Sequence, residues 1–143
     1  MPYRYLEDIA IADVAFEAWG NTVEEMFVAA SNATLNIMVS NLATIRPRDY
    51  RHFRIEDSPI DMLLFQSLQE LVYYKDAERL LLLVRSVRIE QHASDWIAHI
   101  EAAGEKIDPR QHDLIVDVKA ITLHRFSVHR TVQGWTAEVT VDV

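Results

Sequence analysis

The chain has 143 residues, half of them apolar and a quarter charged, a balance that fits one folded domain over 1–143 and excludes a disordered chain. Its net charge of −8 argues against holding nucleic acid by its phosphates and favours a cation or a basic protein partner. It has no cysteine, which excludes disulfides and thiolate chemistry, and no apolar run long enough for a membrane span, so the expected address is the cytoplasm.

Residues 3–8 and 12–18 read as two extended pieces, with Val14, Phe16 and Ala18 alternating against Asp13, Ala15 and Glu17 before Gly20 breaks the run. Thr22 caps a helix, Glu25 completes a capping box, and Val23, Met26, Phe27, Ala30, Ala33 and Ile37 carry it to about residue 39. The breaker "RPRD" at 46–49 precedes a strand at 50–56. Ser58 then caps a second helix with Pro59 at its first position and an apolar face of Ile60, Leu63, Leu64, Leu68, Leu71 and Val72, ending near residue 77.

Residues 80–91 form a long strand. Residues 96–105 mix helical spacing with alternation and lean toward strand, and 114–130 alternate in their first half and their last. A hairpin turn at 131–136 leads into "GWTAEVTVDV", which keeps strand alternation to Val143 and sets Asp142 one position before it. The order of elements gives an α+β fold, a mostly antiparallel sheet with two main helices packed on one face.

Chemical motifs are sparse. No GxGxxG, GxxxxGK, GxSxG, HxH or HExxH spacing occurs, so phosphate loops, a serine elbow and a histidine zinc site all lack a signature. His52, His92, His99 and His129 fall at solvent-facing strand positions, and His112 and His124 read as surface or hydrogen-bonded residues. Asp13 and Asp142 stand in strands, where aspartate is disfavoured. Two readings stay open for them. They face water from outward positions, or with the chain-end carboxylate they form an oxygen-rich cluster for a hard cation such as calcium or magnesium.

Four segments, in order, carry a resemblance. They are "YRYLEDIAIADVAFEAWGNTVEEMF", "DMLLFQSLQELVYYKD", "AAGEKIDPRQHDLIVDVKAITLH" and the terminal "GWTAEVTVDV". Together they resemble the archease family across nearly the whole chain. The chain departs from that pattern twice. Glu7-Asp8-Ile9-Ala10-Ile11-Ala12-Asp13 stands where many members read Glu-His-Thr-Ala-Asp, and Ser67-Leu68-Gln69-Glu70-Leu71 where Trp-Leu-Asn-Glu-Leu is common.

The resemblance implies an accessory protein rather than an enzyme. Its partner would be the RtcB-type RNA ligase, which joins RNA 3′-phosphate or 2′,3′-cyclic phosphate ends to 5′-hydroxyl ends in tRNA splicing and RNA repair. The accessory protein promotes guanylylation of the ligase and restores multiple turnover, and RNA is reached only through the ligase, with no membrane involved. The resemblance also implies a metal site of Asp13, Asp142 and Val143, the last through a main-chain oxygen. Calcium is expected ahead of magnesium or manganese, because irregular, all-oxygen, partly backbone coordination suits it. Lys119, in "VKAIT", is a partner contact or a plain strand lysine. The alternative is a stand-alone metal-dependent hydrolase or phosphoesterase.

Overall fold

The computed structural model describes residues 2–7 and 12–143. The first strand pair is β1 (Tyr3–Leu6) and β2 (Asp13–Gly20), and residues 8–11, between them, lie outside the described residues. Gly20 ends β2 as expected, and the chain turns into α1 (Val23–Met38). The Thr22 hydroxyl accepts the Glu25 N–H at 3.1 Å, and the Glu25 carboxylate accepts the Asn21 N–H at 2.8 Å. The helix is therefore capped from both sides, as the sequence indicates, although the glutamate reaches one residue further back than an ideal capping box.

Beyond a single 3-10 turn at Leu42–Thr44 come β3 (Asp49–Asp57) and α2 (Ile60–Glu78). Ser58 does not cap α2. Pro59 itself, with extended backbone, stands at the cap with no side-chain hydrogen bond. The hairpin β4 (Leu80–His92) and β5 (Asp95–Lys106) resolves the ambiguous 96–105 stretch as strand. Strands β6 (Ala120–Thr131) and β7 (Gly134–Asp142) form the last hairpin.

Among the described residues the strands divide into two antiparallel sheets, ordered β1-β2-β7-β6 and β3-β5-β4. The α+β class, the antiparallel pairing and the two helices are as expected, but the helices serve two sheets. Helix α1 packs on β2 and β7 of the first sheet and on β4 of the second, and α2 packs on β6 and on β3, β4 and β5. Ala29, Ala30 and Ala33 are buried on α1 together with Met26, Phe27, Leu35 and Ile37, so small side chains let it approach both neighbours. Val14, Phe16, Val139 and Val141 belong to the same core. Each full burial of a side chain of that size contributes about 1.5–3 kcal/mol.

The expected strand over 114–130 begins only at Ala120. Leu114, Ile115 and Val116 are all exposed, which no alternating strand would allow, while Val118 is buried. The backbone bonds of this segment go to separate elements. The Ile115 N–H donates to the Met38 carbonyl and the Lys119 N–H to the Asp142 carbonyl, each at 2.8 Å. The stretch is thus a crossing strap from the end of α1 to the end of β7, and apolar alternation alone did not distinguish it from a ladder strand.

Candidate functional site

Strands β2 and β7 are the two central strands of the four-stranded sheet, and their register sets Asp13 directly opposite Asp142. The Val143 N–H donates to the Ala12 carbonyl at 3.0 Å, so a ladder bond lies one residue beyond the carboxylate pair. Asp13 and Asp142 therefore occupy a non-hydrogen-bonded pair, where opposing side chains approach most closely. Both are half-buried. Val143 is tied beside them by its N–H, and its side chain packs against the core. The oxygens it has to offer are those of its main chain.

The face that carries this pair repeats along the two strands. Ala15 faces Thr140, and Glu17 faces Glu138. The second carboxylate pair is not left alone, since Arg4 on β1 bonds Glu17 at 3.2 Å. Among the described residues no ion pair reaches Asp13 or Asp142. Thr140, between the two pairs, is 1 % exposed, and its hydroxyl has no hydrogen-bond partner among the described residues. A buried polar group in that state costs about 1–3 kcal/mol.

These features fit a hard cation. Paired carboxylates next to main-chain oxygens are the kind of donor that oxygen-seeking ions take. Among the described residues no three His, Asp or Glu side chains converge on one point, so side-chain carboxylates and imidazoles alone do not complete a metal site here.

Lys119 is exposed, and its N–H holds the Asp142 carbonyl. His124, His52, His92 and His129 are exposed, as expected, and His99 is half-buried with Nε2 at 3.0 Å from Glu90. His112 differs from a surface residue, being 1 % exposed. Its Nδ1 accepts the Asp108 N–H at 2.9 Å, which puts the ring proton on Nε2, donated to Glu105 at 3.0 Å. Both nitrogens are engaged inside the protein, so His112 has no open position for a substrate.

Glu105 also accepts the Arg46 N–H at 2.8 Å and faces the Arg46 and Arg48 guanidinium groups at 3.5 and 3.3 Å. Burial works to raise its pKa, but the Arg46 N–H, His112 and the Arg46 charge outweigh it and hold the carboxyl below the usual carboxylate range. The sequence reading missed this network. It also missed Lys75, a buried lysine on α2. The signal for Lys75 was present, because it continues the apolar Leu64, Leu68, Leu71, Val72 face of α2 at the next helical step.

An open cleft of about 610 Å³ lies at the far end of β2, lined by Trp19, Gly20, Val28, Ala29 and Val87 among others, with neither Asp13 nor Asp142 in its wall. It is separate from the carboxylate pair.

Residues 3–143 match the sequence pattern described as the archease protein family (MTH1598/TM1083). The chain belongs to the archease family. Over 133 residues it is 34% identical to the protein archease of Pyrococcus furiosus, covering 92% of this chain and 93% of that one. It is 30% identical to the protein archease of Methanosarcina mazei over 142 residues, 99% and 95% of the two chains. The fold is similar to the solution structure of Methanobacterium thermoautotrophicum protein 1598, with a TM-score of 0.85, 25% identity and 99% of each chain covered. A crystal structure from Thermotoga maritima, described as an archease and "possible chaperone", superposes with a TM-score of 0.60 at 17% identity, covering 96% of this chain and 97% of that one, and speaks to the fold alone.

Proposed function

We propose that this archease activates an RtcB-type RNA ligase, promoting its guanylylation and multiple turnover, and that it joins no RNA itself. A divalent cation, calcium first, is held by Asp13, Asp142 and a main-chain oxygen of Val143. The observation that carries this reading is the register of β2 and β7, which pairs two carboxylates, without an ion-pair partner among the described residues, at the end of the sheet. Like charges directly opposite in a ladder are destabilising, so a site built this way gains by taking up a cation. When bound, such a cation supplies positive charge and open positions toward oxygen atoms of a partner. The chain's own residues hold the two carboxylates in line, and the Val143 N–H bond fixes the end of β7.

A second observation supports the view that RNA is reached through the ligase. The charge of the basic stretch at 46–54 toward phosphates is offset by neighbouring glutamates. Arg46 and Arg48 face Glu105, Arg51 bonds Glu78 at 2.7 Å, and Arg54 bonds Glu56 at 3.1 Å. The test is multiple-turnover ligation and guanylylation by the ligase of the same organism, with and without this protein. Stimulation of both, with no ligation by the protein alone, is expected. Turnover unchanged at equal concentrations of the two proteins contradicts the proposal.

A further inference from the structure

Lys75 sits in the last turn of α2 and is 5 % exposed. Its ammonium reaches out of the core to three oxygens, namely the carboxylates of Asp76 and Asp117 and, at 2.8 Å, the Val118 carbonyl. Burial works to lower its pKa, but the hydrogen bonds to Asp117 and Asp76 outweigh it and hold the ammonium above the ordinary lysine value. The third contact is the informative one. The Val118 carbonyl belongs to the same peptide unit as the Lys119 N–H, and that N–H donates to the Asp142 carbonyl at 2.8 Å. One planar peptide group is therefore gripped at its oxygen by Lys75 and at its N–H by the backbone of Asp142.

A charge on the oxygen side polarises the peptide and strengthens the hydrogen bond on the nitrogen side. From the geometry we infer that Lys75 is a positioning residue for the Asp13–Asp142 site, acting through the 118–119 peptide to fix the backbone of Asp142 and the strap beside it. The inference rests on the reading of Asp13 and Asp142 as a cation site. Lys75 itself touches no ligand of that site. Its neighbours make a purely local role a poor fit. The Asp76 and Asp117 side chains are 57% and 60% exposed, so the lysine could satisfy its charge at the surface, yet it also spends a bond on the Val118 carbonyl. The first half of the strap is tied to the end of α1, by the Ile115 N–H on the Met38 carbonyl and the Leu114–Val39 bridge, whereas its β7 end is held by the 118–119 peptide and the buried Val118.

The coupling must be reciprocal. If Lys75 raises calcium affinity by some factor, calcium must tighten the Lys75–peptide–Asp142 chain by the same factor. The experiment follows amide hydrogen exchange by NMR on the native protein, Lys75→Met, Lys75→Arg and Asp76→Asn, with calcium titrated into each by calorimetry. In Lys75→Met the Lys119 amide is expected to exchange about tenfold faster and calcium to bind about tenfold more weakly. The β4–β5 amides keep their protection. Lys75→Arg, which keeps the charge, recovers part of both, and Asp76→Asn leaves both near native.

Unchanged Lys119 protection in Lys75→Met, or a loss of calcium affinity equal to that in Asp76→Asn, overturns the inference. If Lys75→Met does not fold, Lys75→Arg decides it. Lys119 protection and calcium affinity that both fall below native in Lys75→Arg support the clamp, and a Lys119 amide as protected as in the native protein overturns it. Exchange in the calcium-free protein separates the two ideas. A native chain that binds no calcium removes the site, while the effect of Lys75 on the Lys119 amide still scores the clamp.

Discussion

Asp13 and Asp142 face each other across the β2–β7 ladder in a non-hydrogen-bonded pair, with no ion-pair partner for either among the described residues. Four positions along, Glu17 and Glu138 repeat the arrangement, but Arg4 bonds Glu17. The two pairs are an internal comparison. Both are like-charge pairs in the same ladder, and in one of them a neighbouring arginine offsets one of the two charges.

Removing the repulsion should stabilise the metal-free protein. Asp13→Asn is expected to gain on the order of 0.2–1 kcal/mol in urea unfolding with a chelator present. Saturating calcium at about 100 times its dissociation constant should add about 2.7 kcal/mol to the native chain and much less to the variant. A variant less stable than native in chelator would mean that Asp13 is held by a favourable contact instead.

The Glu105 network should make stability depend on pH in acid. Its folded pKa is depressed, so its contribution is fully present above the unfolded value near 4.3 and is lost as pH falls through the lower folded value. Glu105→Gln should therefore be less stable than native at neutral pH, with the gap narrowing as pH drops below about 4.3. Thermal melts across that range give the comparison. A gap that is constant with pH would show that the Glu105 charge contributes nothing.

Gly104 lies on β5 between β3 and β4, and a Cβ there would sit 1.7 Å from the Leu81 carbonyl oxygen. The obstacle is backbone rather than a movable side chain. Gly104→Ala should cost at least the roughly 1–3 kcal/mol of overpacking, read from the urea midpoint. An unchanged midpoint would show that the β4–β5 ladder gives way at this point.

RNA affinity in the absence of ligase should be weak, and replacing Arg46, Arg48 or Arg54 by alanine should barely alter it, since each is already engaged by a glutamate. The measurement is binding against salt concentration. A steep fall with salt that flattens in these variants would identify the stretch as a phosphate contact.

Much of the architecture was legible in period and caps. Thr22 and Glu25 announced α1, and the alternation of Trp135, Ala137, Val139, Val141 and Val143 announced β7. What one chain's pattern does not encode is which strands pair. That Asp13 meets Asp142 depends on a non-local register, and the separation into two sheets depends on α1 being buried on several sides, which weakens its amphipathic signal. The strap at 114–119 reads as strand in the sequence because extended chain and ladder strand share a period of two. His112 and Glu105 lie seven residues apart, and nothing in that spacing says that a loop folds back to bury them against each other.

Calcium titrated calorimetrically into the native chain, Asp13→Asn, Asp142→Asn and Glu17→Gln decides whether the paired aspartates hold the cation. A single site is expected in the native chain and in Glu17→Gln. Both aspartate variants should lose more than the roughly 10–100-fold that follows removal of a mere supporting partner. Equal affinity in the native chain and Asp13→Asn, or a loss confined to Glu17→Gln, would show that the cation is not held by Asp13 and Asp142.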